Sequence, residues 1–213
     1  MSEFRGLVDR LLRPYFPGLT DAQVALLEAH YSLMMRWTKR INLTAITDPA
    51  EVVTRHYGES LAVAAAIPPG AWSIVDAGSG PGFPGVPIAI ARPECRVTML
   101  EIDVRKGVFI REGTQGVPNT SVKNERLSAY APGCDWLVSR ALHRQELIPY
   151  ADAHRCGVAL LVSEEQVPET RADWRAVEWD EPIALPWKGH GMILRGRYPA
   201  NPDAMRTEGE RRQ

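Results

Sequence analysis

Apolar residues in the first 66 positions recur at helical spacing. Leu7, Val8, Leu11 and Leu12 make one short face, and Val24, Leu27, Tyr31 and Met34 keep the period to about Trp37. Thr20 and Gln23 have the spacing of a capping box at the start of that second helix. Asp48, Pro49 and Glu51 read as N-cap, N1 and N3 of a third helix, which turns Val53, Tyr57, Leu61 and Ala64 inward and stops at Pro68-Pro69-Gly70. From Trp72 the period changes. Strands are expected over residues 72–75, 96–101, 120–124, 134–139 and 157–163, with helices ending near Ala91 and spanning about 104–115 and 143–153. Such alternation predicts an α/β fold with a mainly parallel, doubly wound sheet. Two late segments, 175–183 and 192–198, are expected as an antiparallel edge pair, and the polar tail should fray. The chain thus divides into a helical extension (1–70), an α/β domain (71–198) and a tail (199–213).

Residues 73–87 read SIVDAGSGPGFPGVP, a short apolar run that ends on Asp76 and meets glycine at 78, 80, 82 and 85. A buried strand, a glycine-rich turn and a helix bring main chain close to a nucleotide-like ligand. A dinucleotide fingerprint counted from Gly78 needs glycine at 83, where Phe83 stands; counted from Gly80 it is met, but two residues late. The pattern in register is acid-x-Gly-x-Gly-x-Gly, which resembles motif I of S-adenosylmethionine (SAM) methyltransferases. SAM carries no pyrophosphate for a helix N-terminus; its amino-acid end and sulfonium suit an acid such as Asp76 and an open turn at Gly80. Glu101, 23 residues after Gly78 at the end of the next strand, is placed to accept both ribose hydroxyls of an adenosine.

Composition adds limits. The chain has 213 residues, 45% apolar and 24% charged, with a net charge of −1, so any RNA contact must come from local patches rather than a global field. Arg36, Lys39 and Arg40 form one basic cluster and Arg105, Lys106 and Arg111 another. Three isolated cysteines without a C-x-x-C pair argue against a disulfide framework or zinc site and for a reducing compartment. No histidine has a metal-ligand partner at helical spacing. With no signal-like core and no long apolar run, the expectation is a cytoplasmic protein without a membrane span or metal.

Ser139-Arg140 closes the strand over 134–139, so Arg140 should point to the crevice beyond the strand ends. The Asn/Asp-Pro-Pro-aromatic motif of amino-methylating enzymes is missing there, and Cys134 lies at the wrong strand end for a pyrimidine-attacking nucleophile. A nucleophile that is already a lone pair, such as guanine N7, fits what remains. It needs alignment and exclusion of water rather than a base.

Together these residues resemble the bacterial small-subunit rRNA guanine-N7 methyltransferase family, GidB/RsmG, through most of the length. The resemblance rests on residues 37–46 (WTKRINLTAI), Arg55-His56 with Ser60, residues 76–85 (DAGSGPGFPG) and Ser139-Arg140-Ala141. It implies a Rossmann-like methyltransferase domain behind a helical extension, and SAM contacts at Gly78, Phe83, Leu127, Ser128 and Arg140. With it go Arg140, His56 and Arg126 as the catalytic set, and a monomer acting on 16S rRNA or the small subunit. Three departures stand out: Ser128 replaces a usual acid, Gly58-Glu59 a residue-Asp pair, and Glu164-Glu165-Gln166 a usual Lys-Gly. The last predicts weaker RNA binding than in a lysine-bearing relative, unless a cation such as Lys188 substitutes. Two other readings remain open: a diverged methyltransferase acting on another RNA or a small molecule, and a weakly catalytic ribosome-assembly factor that keeps SAM as a structural ligand.

Overall fold

The computed structural model describes residues 2–140, 142–187 and 191–199. Ala141, Lys188 and the tail from residue 200 lie outside the described residues. Helix α1 (Glu3–Leu11) buries Phe4, Leu7 and Val8, and α2 (Asp21–Thr38) opens with both halves of the expected Thr20–Gln23 capping box. The Asp48 carboxylate accepts from the Glu51 N–H and starts α3 (Pro49–Val52). The helix then departs from expectation: Val53–Gly58 form a π-helical turn before α4 (Glu59–Ala66) resumes ordinary winding. Insertions of this kind tend to mark functional sites. Here the turn buries His56 and Tyr57 together with Gly58. A Cβ on Gly58 would lie 2.8 Å from Trp187 and 2.9 Å from Leu12, so glycine lets those side chains close on the helix.

Strands β1 (Ser73–Ala77), β2 (Arg96–Leu100), β3 (Thr120–Lys123), β4 (Trp136–Ser139) and β5 (Gly157–Ser163) run parallel in the order β3-β2-β1-β4-β5. The order reverses at β1, which has β2 on one side and β4 on the other, and this leaves the ligand crevice of open α/β sheets at its carboxyl end. Helices α5 (Gly85–Ala91), α6 (Val104–Gly113) and α7 (Arg144–His154) follow the sequence reading. Helix α8 (Gln166–Asp173) was not expected. Only Val167 and Thr170 are buried along it, so it carries almost no apolar period. The late segments differ too. Strand β8 (Gly191–Arg197) lies antiparallel to β5 and is not an edge, while residues 175–183 give the short β6 (Glu178–Trp179) and, with residue 184, β7 (Ile183–Ala184), both paired to β8. Short edges of this kind limit pairing with other chains.

One core joins the N-terminal helices to a face of the sheet, from Val8, Leu27 and Tyr57 to Ile74, Met99 and Val138. The other face, with Val75, Leu100 and Leu137, packs Leu147, Tyr150 and Ala151 of α7. Arg92 fastens the join: its guanidinium donates to the carbonyls of Ala64, Ile67 and Pro68, each at 3.0 Å.

Candidate functional site

The glycine loop leaves β1 at Asp76 and returns at Gly85. Its amides at Gly78 and Ser79 both donate to the Leu100 carbonyl at 3.0 Å, which ties the loop to the end of β2. Asp76 is fully buried, and its Oδ2 accepts from the Gly85 N–H at 2.8 Å. Its place is therefore beneath the loop, closing it, rather than on the open side facing a ligand. Its Oδ1 has no hydrogen-bond partner among the described residues. Burial pushes the Asp76 carboxyl up to about 7 against the opposing hydrogen bond from Gly85.

Glu101 follows β2 directly. One carboxylate oxygen accepts from the Gly80 N–H and the other from the Asp103 N–H, each at 2.8 Å. Each oxygen keeps a lone pair for a further donor. Gly80 sits at φ +56°, and a Cβ there would meet nothing within 4 Å. The space above the loop is open to a ligand, and the left-handed backbone keeps a side chain out of it. A carboxylate with free lone pairs beside an open turn fits the hydroxyls of a nucleoside.

Phe83 reaches the other way. Its ring is stacked on His56 (centroids 4.7 Å apart, 12° between planes) and meets Tyr57 and His30 edge-on. Any cofactor contact at Phe83 would therefore be through its main chain. His56 bridges the extension and the sheet: its Nδ1 is 2.8 Å from the Arg140 guanidinium, and its Nε2 is 2.8 Å from Thr44 Oγ1. Arg140 also pairs with Glu59 at 3.4 Å, and Arg55 approaches the same carboxylate at 3.9 Å. Arg55, Glu59 and Arg140 share a cleft of about 170 Å³ with Ser163 and Gln166.

Thr44, Glu59 and His30 were not read from the sequence as site residues. His30 Nε2 sits 3.1 Å from the Pro81 carbonyl and Nδ1 2.8 Å from the Tyr57 hydroxyl, so a residue of α2 holds the glycine loop across 51 positions. Only the motif over residues 37–46 hinted at Thr44; nothing local marked His30.

Both imidazoles are held neutral. Burial lowers His30 to about 4, and burial followed by the charges of Arg140 and Arg55 lowers His56 to about 3. In the unfolded chain both take up a proton near 6.5. Their stabilising contribution is therefore complete above pH ~6.5 and is lost as pH falls toward the folded values. Asp76 runs oppositely, with its contribution complete below pH ~4 and lost as pH rises through about 7. Denaturant unfolding should show stability falling between pH 6.5 and 4, and His30→Gln should flatten that slope by roughly one proton's worth. An unchanged slope in the variant would remove His30 from this account.

The remaining predicted residues lie apart from this network. Leu127 is buried in the second core, and Ser128 is exposed on a short 3-10 helix, Leu127–Ala129. Arg126 is exposed, its side chain with no hydrogen bond or ion pair among the described residues, and lines a cleft of about 460 Å³ with Ser128, Tyr130 and Tyr150. Among the described residues no contact joins it to Arg140 or His56; it precedes that 3-10 helix and shares its cleft with α7. Cys134 sits before β4, at the end opposite Arg140. Gln166, next to the Glu164-Glu165 pair, accepts from the Ser163 N–H at 2.9 Å. A more apolar cavity of about 400 Å³, lined by Phe16, Leu61 and Arg92, contains none of the predicted residues. Among the described residues there is no cluster of three or more metal-ligating side chains, and no helix is long and apolar enough to cross a membrane.

A sheet reversed at β1, a glycine loop over its end, an acid closing β2 and an antiparallel β8 beside β5 define the Rossmann-like fold of SAM-dependent methyltransferases. Solved structures agree. Magnesium protoporphyrin IX methyltransferase (ChlM) from Synechocystis PCC 6803 superposes with a TM-score of 0.59 at 14% identity, over 84% of this chain and 98% of its own. The 23S rRNA methyltransferase ErmE gives 0.55 at 21%, over 68% and 69%. By sequence, "Ribosomal RNA small subunit methyltransferase G" of Xanthomonas axonopodis pv. citri (strain 306) is 37% identical over 180 residues, 79% of this chain and 84% of the relative. The protein of the same name from Stenotrophomonas maltophilia (strain K279a) matches with the same identity and coverage. Residues 23–172 match the model of the GidB family, rRNA small subunit methyltransferase G, and the chain belongs to that family.

Proposed function

We propose that the protein transfers a methyl group from SAM to N7 of a guanine in 16S rRNA, acting in the cytoplasm as a monomer on the rRNA or the small subunit, without a metal. SAM supplies an electrophilic methyl group on a sulfonium. In this reading Glu101 takes the ribose hydroxyls, the amides and open side of Gly78 and Gly80 receive the amino-acid end, and Asp76 keeps the loop closed behind them. The main chain of Phe83 and the segment Leu127–Ser128 complete the pocket, with Arg126 at its exposed edge. Arg140 and His56 form the catalytic pair, and the helical extension (1–70) shapes the acceptor side of the catalytic domain (71–198).

The observation that carries this reading is that, among the described residues, Arg140 is a fixed donor and the imidazole beside it has no free lone pair. Arg140 stays cationic although burial lowers its proton affinity, and the one lone pair of a neutral His56 already accepts from it. An amine or hydroxyl acceptor would have to lose a proton during transfer; guanine N7 presents a lone pair and needs only alignment. Incubation of unmethylated small subunits with methyl-labelled SAM, followed by nuclease mapping, should place the label on a single 16S guanine as 7-methylguanosine. Label on another base or atom would overturn the acceptor assignment. No label at all would favour a ribosome-assembly role with SAM as a structural ligand.

A further inference from the structure

The hydrogen bonds around His56 settle where its proton sits, and this fixes the character of a neighbour. Arginine can only donate, so the His56 Nδ1 facing Arg140 at 2.8 Å must be the acceptor nitrogen. A neutral ring then carries its hydrogen on Nε2 and donates it to Thr44 Oγ1 at 2.8 Å. The same oxygen accepts the Ile46 N–H at 3.1 Å. A hydroxyl oxygen has two lone pairs, and both are now taken. What Thr44 has left is its hydrogen, which meets no acceptor among the described residues on a half-buried side chain at the end of the chain Glu59–Arg140–His56–Thr44.

We infer that Thr44 is a specificity-determining contact, a donor-only hydroxyl that selects a purine bearing an acceptor oxygen at C6. The inference rests on the proposed N7 methylation and names what reads the base there. On the edge carrying N7, guanine adds an acceptor at O6, whereas adenine adds an amino donor at N6. A hydroxyl free to rotate and accept would serve either base. One with both lone pairs filled attracts O6 and opposes the amino group. Arg140 and His56 are thus also positioning residues for Thr44, because the fixed tautomer is what fills its second lone pair.

The test is a double-mutant cycle between protein and base. Wild type, Thr44→Val and Thr44→Ser are assayed by single-turnover methyl transfer on small-subunit RNA carrying guanine, or 2-aminopurine, which keeps N7 and lacks O6, at the position wild type methylates. On guanine RNA, Thr44→Val should be slower by roughly ten- to hundredfold, the scale of one lost hydrogen bond with its partner left bare. Thr44→Ser should recover most of that. On 2-aminopurine RNA, the Thr44→Val penalty should shrink by roughly tenfold to what the loss of an acceptor for the His56 and Ile46 N–H groups costs by itself, and SAM affinity should match throughout. Penalties that simply multiply would show that threonine and O6 do not meet, and would overturn the assignment while leaving the methylation reading in place. A Thr44→Val variant as fast as wild type on guanine would do the same. No transfer by wild type to either RNA would overturn both.

Discussion

Glu101→Ala is expected to lower SAM affinity by roughly a hundredfold or more while the chain still folds. The carboxylate has two duties in the structure. It accepts from the Gly80 and Asp103 amides at 2.8 Å each, and it offers its remaining lone pairs to the crevice. Alanine leaves both amides without that acceptor, at about 1–3 kcal/mol for each one shut away from water, and deletes hydrogen bonds to a charged group worth about 1.5–3 kcal/mol. Part of the loss falls on the fold and part on binding, because the Gly80 amide belongs to the loop that must already be shaped when the ligand arrives. Glu101→Gln should fall between: its amide oxygen can serve one N–H, while its NH₂ faces the other donor. Gly80→Val should reach a similar loss by another route, filling the open side of the turn with a side chain at a positive φ. Calorimetric titration with SAM reads all three. Wild-type affinity in folded Glu101→Ala and Gly80→Val would remove the ligand from this crevice, and NAD binding tighter than SAM would reassign it.

The half of this site proposed to hold the cofactor was legible in the sequence because its signals are local. Strand, acid and alternate glycines lie within fifteen residues, and Glu101 follows from where the next strand ends. Of the acceptor half, strand geometry gave Arg140 and the family resemblance gave His56, but their meeting was not legible, because it is assembled across distance. His56 meets Arg140 over 84 positions and His30 meets Pro81 over 51, and no periodicity in either segment encodes the meeting. The π-helical turn that carries His56 leaves no composition signal, since Val53, Tyr57 and Leu61 suit an ordinary helix equally well. What betrays it is packing: Leu12 and Trp187, from opposite ends of the chain, converge on Gly58. Asp76 shows the limit from the other side. Its place in β1 was legible, but the sequence reading turned it toward the ligand, and only burial shows that it lies behind the loop.

Arg140→Ala should slow methyl transfer by roughly a hundred- to a thousandfold, the scale for removing one preorganised donor from a reacting centre, with a much smaller change in SAM affinity. Arg140→Lys should recover little, because one ammonium cannot span His56 at 2.8 Å and Glu59 at 3.4 Å as the planar fork does. The pH–rate profile of Arg140→Ala should show no lost ionisation near neutrality, since the arginine remains protonated throughout and guanine N7 gives up no proton. The substitution also strands Glu59. Burial already raises that carboxyl, and Arg140 is the larger of the two charges opposing the rise. Some destabilisation of Arg140→Ala therefore comes from an acid left with Arg55 alone at 3.9 Å. Adding Glu59→Gln separates the two effects. The double variant should regain thermal stability relative to Arg140→Ala and stay as slow. If it instead recovers wild-type turnover, the arginine serves only to neutralise Glu59, and alignment of the acceptor must be assigned to other groups in the crevice.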